Sequence, residues 1–165
     1  MTVLATVEFF QVVLAIHILA VVIGFGVTFA YPLLFAAARR ADPVVLPWLF
    51  RTMRRLERLL VNPGLLVVVL AGVYLASHLH QWKLFYVQWG IGAAIVIGAV
   101  EGAFMIPREG RLANIADRDL AAAEGGRVTW SEDYSATLRQ LSVGGLILNL
   151  IVVATVFMMA AHIGS

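Results

Sequence analysis

Four long apolar runs, at about 7–35, 63–78, 84–106 and 140–162, constrain this chain more than any other feature. About 20 residues of helix cross the roughly 30 Å of hydrocarbon in a bilayer. A spanning segment must satisfy its own backbone hydrogen bonds there, which leaves helices or a closed barrel. Runs of this length without period-two alternation predict helices. The expected fold is all-α: a four-transmembrane-helix bundle forming one integral membrane domain over residues 1–165. Composition agrees: 61% of residues are hydrophobic and 13% charged, and mean hydropathy is +0.90. A soluble domain carries nearer a quarter charged residues, and a core of this size cannot hide such an apolar surplus.

The basic residues assign the orientation. Arg39, Arg40, Arg51, Arg54, Arg55 and Arg58 lie between the first and second runs. Arg108, Arg111, Arg118, Arg127 and Arg139 lie between the third and fourth, and the second link holds only Lys83. The positive-inside rule puts both arginine-rich segments in the cytoplasm and both termini outside, in a bacterial-type cytoplasmic membrane. The first run has no Lys or Arg before it, carries Glu8 near its start and outruns a signal-peptide core. Met1 is therefore read as part of the mature chain. A net charge of +2 massed in the arginine segments predicts anionic lipid headgroups as partners, at Arg51, Arg54, Arg55 and Arg58, and no nucleic acid. With no cysteine, disulfides, thiolate metal sites and covalent heme attachment are excluded.

Two helices are expected between the spans. At about 47–60 the arginines at 51, 54, 55 and 58 oppose Leu49, Met53, Leu56 and Leu60, an amphipathic pattern. It could lie in the membrane interface or extend the second span. Asn62 as a cap and Pro63 in the first turn predict a fresh start for that span and favour the interface. The loop at about 107–139 predicts a short helix from Arg111 to Glu124, stopped by Gly125-Gly126. Thr129 and Glu132 form a capping-box pattern before the fourth span.

Few side chains carry chemistry. Gly90, Ala94, Gly98 and Gly102 form a small-residue ridge on the third span, for packing within the bundle or between copies in a homo-oligomer. His17 lies deep in the first span, where an ionisable residue is a functional candidate. It reads either as an axial ligand to heme iron or as a neutral histidine bonded to Asn149 or Tyr74. His78, His80 and His162 gather at one end, as a surface metal site or as solvated termini. A depth of roughly 15 Å for His17, at 1.5 Å per residue, separates it from them. A heme on His17 would then have one protein ligand, or a second from Met158 or Met159. Glu101, the intramembrane acid, reads as a proton carrier or as the partner of an arginine such as Arg108. No catalytic triad, phosphate loop or zinc-protease motif occurs.

The stretch His17-Ile18-Leu19-Ala20-Val21-Val22, continuing to Tyr31-Pro32-Leu33-Leu34-Phe35, resembles a superfamily of small bacterial four-helix membrane proteins. Met53-Arg54-Arg55-Leu56, Pro63-Gly64-Leu65-Leu66, Gly72-Val73-Tyr74-Leu75 and Trp82-Lys83-Leu84 carry the likeness over about half the chain. That superfamily includes the copper-resistance D type, the HemJ-type membrane protoporphyrinogen oxidase, and a sister family of predicted integral membrane proteins without known activity. The resemblance implies heme b as cofactor, with His17 as ligand and Lys83, Arg54 and Arg55 as cofactor-binding residues. The chain has Gly24 where the oxidase has tryptophan, and no histidine in Val87 to Ala94 where the oxidase has its second. It is therefore more similar to the sister family. Three readings stand: a membrane protein binding heme or porphyrin through His17, a membrane redox enzyme of the oxidase type, and an oligomeric transporter or channel component with Glu101 as coupling acid.

Overall fold

The computed structural model describes residues 8–38, 40–123 and 127–163. The expectations that fall on Met1, Val7, Arg39, Glu124, Gly125 and Gly126 lie outside these residues. Among the described residues, four helices are long and apolar enough to cross a membrane: α1 (Phe9–Ala38), α2 (Pro43–His78), α3 (Phe85–Ala121) and α4 (Glu132–Ala160). At 1.5 Å per residue they measure about 45, 54, 55 and 44 Å, so each outlasts the hydrocarbon. For α2 and α3 the excess lies at the arginine-rich end.

The bundle runs up and down. Phe9 meets Tyr74 edge-on and Phe10 stacks on His78, which fixes α1 antiparallel to α2. Leu65 packs on Gly98 between α2 and α3, and Gly90 receives the Met159 methyl between α3 and α4. Many large side chains face outward, among them Leu33, Leu59, Leu66 and Ile95, as lipid contact requires. Toward the termini most buried positions are small (Ala20, Ala71, Ala76, Ala93, with Tyr86 the exception), whereas the large buried side chains Phe35, Phe50, Met53, Met105, Leu112 and Leu141 gather toward the arginine end. A polar clamp joins α1 to α4: the Thr28 hydroxyl lies 2.8 Å from Asn149 Oδ1, and Asn149 Nδ2 donates to the Thr28 carbonyl.

The second span does not restart at Asn62-Pro63. The helix passes through them by widening into a π-turn over Glu57–Val61, closed by the Asn62 N–H on the Glu57 carbonyl. Pro63 has no N–H for the Leu59 carbonyl, and its ring would crowd it; the wider turn relieves both. The same device recurs in α3, where a π-turn over Glu101–Met105 closes with the Ile106 N–H on the Glu101 carbonyl, just before Pro107. Each π-turn thus begins on a glutamate six residues ahead of a proline.

The amphipathic segment Leu46–Leu56 is therefore the extension of α2. Its apolar side, led by Phe50 and Met53, packs against the Ile106–Ala121 extension of α3, at Leu112 and Ala116. Much of the expected 107–139 loop is thus helix. The cap of α4 falls on Ser131, whose hydroxyl accepts from the Tyr134 N–H, in place of the Thr129–Glu132 box. Asp119 at the end of α3 accepts the Ser131 N–H at 2.8 Å, which places the helix start there.

Candidate functional site

Counting 20 residues of hydrocarbon back from His78, or forward from Phe85, brings both helices to their π-turns. That boundary at the arginine end holds the most unusual chemistry in the fold. Glu57, Glu101 and Glu109 are all buried, at 0%, 3% and 2% exposure. They occupy core stripes: Leu46, Phe50, Met53, Glu57 and Val61 on α2, and Ile97, Glu101, Met105, Leu112 and Ala116, with Glu109, on α3. Glu57 and Glu109 lie close enough for each carboxyl to act on the other. None of their four carboxyl oxygens has a hydrogen-bond partner, and one oxygen of Glu101 also lacks a donor. Such an approach is favourable only with a proton or a cation between the two groups, because a buried charge without a partner costs several kcal/mol or more.

Tyr31 from α1 closes the cluster. It is buried, and its hydroxyl donates to the Met53 carbonyl at 3.4 Å. Arg54, one turn from Glu57, is the cation beside Glu109, and its buried Nε has no acceptor. Gly110 makes room for it: a Cβ there would lie 2.6 Å from an Arg54 terminal nitrogen. Arg108, expected opposite Glu101, instead donates to Gln140 at 3.0 Å and to the Phe104 carbonyl, with its guanidinium over the Phe104 ring.

His17 sits apart, half-buried against α2. Its Nδ1 lies 3.0 Å from the Val68 carbonyl. A carbonyl only accepts, so Nδ1 carries the proton and Nε2 keeps its lone pair. The expected partners are engaged elsewhere, Asn149 with Thr28 and Tyr74 in a stack with His78. Gly72 gives the ring its place, since a Cβ there would lie 3.3 Å from His17 Cε1. One turn on from Ala20, Gly24 meets Gly64 backbone to backbone, and a Cβ on Gly64 would lie 2.7 Å from the Gly24 Cα. At Gly24 and Gly64 the backbones of α1 and α2 thus approach with no room for a side chain between them.

The remaining sequence candidates are dispersed. Lys83 is exposed in the link between α2 and α3, the far end from Arg54 and Arg55, so these three do not share one site with His17. On the α3 ridge Gly90 meets Met159 and Gly98 meets Leu65, while Gly102 has nothing within 4 Å. Arg51 pairs with Asp117 across the two helix extensions. His80 and His162 take left-handed backbone conformations, with φ of 56° and 49°. Each closes its helix, the following N–H bonding back to Ala76 or Met158, in the manner of a Schellman cap. Among the described residues no three His, Asp or Glu side chains are grouped to hold a metal ion.

Sequence reasoning missed Glu57 and Glu109 as members of a site. Their signal was position: each falls on the apolar stripe of its helix, where a charge is rare unless paired. No curated protein and no solved structure matches the chain. A model of predicted integral membrane proteins, DUF2269, matches residues 11–163. With four membrane-length helices and nearly its whole length matched, the chain belongs to the predicted integral membrane protein family DUF2269.

Proposed function

We propose that this protein binds and releases protons at the arginine-rich boundary of the membrane, as a small proton-coupled transport or channel component. The observation that carries the reading is the buried pair Glu57 and Glu109, whose four carboxyl oxygens have no hydrogen-bond partner. Glu101 extends the pair toward the bilayer, and Tyr31 offers the next hydroxyl along α1. π-Turns are frequent at functional sites, and here both begin on acids of the cluster. By the positive-inside rule the boundary faces the cytoplasm of a bacterial-type membrane, with exposed Arg55 and Arg58 near anionic headgroups. Gly102 and the lipid-facing side of α3 supply a seam for a homo-oligomer. Infrared spectroscopy of the purified protein tests the proton reading. A protonated-carboxyl stretch that diminishes in Glu57→Gln and in Glu109→Gln is expected. Its absence from the wild type, or its persistence in both variants, refutes the assignment.

A second reading rests on His17. The Nδ1–H bond to Val68 fixes the ring and leaves Nε2 as a ligand atom, the arrangement usual behind metal-bound histidines. His17 would hold a heme iron through that nitrogen. His78 lies six residues beyond Gly72 on α2, in a stack with Phe10 and Tyr74, and the Met159 methyl is taken up by Gly90. A bound heme would supply one-electron redox chemistry. Protein purified with heme supplied should show a Soret band that His17→Ala removes; a colourless wild type eliminates this reading.

A further inference from the structure

Outside the acid cluster, one side of the α3 extension, with Arg54 reaching over from α2, lines a shallow open cavity of about 570 Å³. Its wall carries three guanidinium groups, Arg54, Arg111 and Arg118, together with Asn114. Gly110, Arg111, Asn114 and Arg118 recur at helical spacing along one side of α3, and Arg54 reaches across from α2 over Gly110. The missing Cβ of Gly110 is what admits the Arg54 head group. That head group stands between the buried acids on one side and the cavity on the other, with its Nε lacking an acceptor.

The acids that meet these arginines leave capacity. Arg118 commits its Nε and Nη2 to Asp119, and Nη2 also to the Ser131 hydroxyl, which leaves Nη1 with only Asp133 at 3.9 Å. Arg111 approaches Asp133 at 3.9 Å, with both side chains more than half exposed. One exposed aspartate thus stands at long range between two arginines, where an incoming anion can replace it. Guanidinium forks recognise tetrahedral oxyanions through paired N–H bonds, and three of them suit a multiply charged group. The cavity begins at Pro107, where α3 leaves the hydrocarbon, and reaches Arg118, roughly 16 Å further out.

We propose that this cavity binds a phosphate-bearing anion, with Arg54, Arg111 and Arg118 as its cations and Asn114 as a neutral donor. A lipid headgroup and a soluble phosphate present the same chemistry, and two arms of one experiment separate them. In the first, the full chain in detergent is titrated with inorganic phosphate against chloride at matched ionic strength. In the second, it is placed in nanodiscs of phosphatidylcholine with or without phosphatidic acid, and amide exchange is followed over residues 107–118. Saturable binding in the first arm identifies a soluble anion; protection by phosphatidic acid alone identifies a lipid headgroup.

Arg111→Gln should weaken the effect about tenfold, the value of one charge-assisted hydrogen bond. Gly110→Ala should weaken it as well, because the new methyl displaces the Arg54 head group while every charge is kept. Arg139→Gln, which replaces an exposed arginine on α4 away from the cavity wall, should bind as the wild type does. Arg111 is exposed, so its replacement tests the site even where changes at Arg54 disturb folding. No saturable response in either arm, or equal responses from the wild type, Arg111→Gln and Gly110→Ala, overturns the proposal.

Discussion

Gly64→Ala is the sharpest test of how α1 and α2 are held. The added methyl would lie 2.7 Å from the Gly24 Cα and 3.4 Å from the Ala20 carbonyl, both of them backbone atoms. No side-chain rotation relieves that contact. Carbon atoms rest near 3.5 Å apart, so the helices must separate by about 0.8 Å. A gap of that size forfeits a quarter to a half of each dispersion contact along the seam, and overpacking of this kind costs about 1–3 kcal/mol. The separation also stretches the 3.0 Å bond from His17 to Val68, adding about 1 kcal/mol. Denaturant or thermal unfolding in detergent should therefore show a loss of about 2–4 kcal/mol, with the sum limited by partial relaxation. Gly26→Ala is the matched control on α1, because nothing lies within 4 Å of its added methyl; it should be neutral or slightly stabilising. Equal effects from the two substitutions would refute the backbone contact. An unchanged His17 ring-nitrogen NMR signature in Gly64→Ala would refute its link to the histidine.

His80→Gly and His162→Gly should each stabilise the protein by about 1 kcal/mol, because a side chain in the left-handed region costs that much and glycine does not; thermal unfolding in detergent reads it. Asn149→Leu should lose about 0.6–1.7 kcal/mol, and a double-mutant cycle with Thr28→Val should assign most of the loss to their shared bonds. Gly102→Leu should leave unfolding of the single chain unchanged, since its position is open; loss of discrete oligomers on crosslinking in native membranes would place the seam there, and unchanged crosslinks would remove it.

The spans were legible because lipid imposes a length, and an apolar run of that length has few other uses. Their ends were not. Pro63 was read as a start signal, yet a helix can carry a proline when the turn before it widens. The extension of α2 finds apolar cover on α3 rather than in the interface, a choice made by packing between segments some 60 residues apart. His17 was legible as a residue and its partner was not, because a backbone carbonyl has no letter in the sequence. The ridge on α3 was visible since its members share one helix. The closer approach of Gly24 to Gly64 joins two helices, and no periodicity announces it.

The acid cluster joins these points. On an ordinary helix a buried stripe advances by alternating steps of three and four residues. In α2 it advances from Met53 by four to Glu57 and by four again to Val61, and in α3 from Ile97 by fours to Glu101, Met105 and Glu109. Consecutive steps of four carry one residue more than the helix needs, and the π-turns at Glu57–Val61 and Glu101–Met105 absorb that residue. Without them Val61 in α2 and Glu109 in α3 would rotate by about 100° toward lipid. The prolines six residues after each glutamate favour the wide turn by removing the hydrogen bond that a regular helix would make there. Spacing, proline and buried acid are thus one device used twice, and it explains why Glu57 and Glu109 both lie inside the bundle.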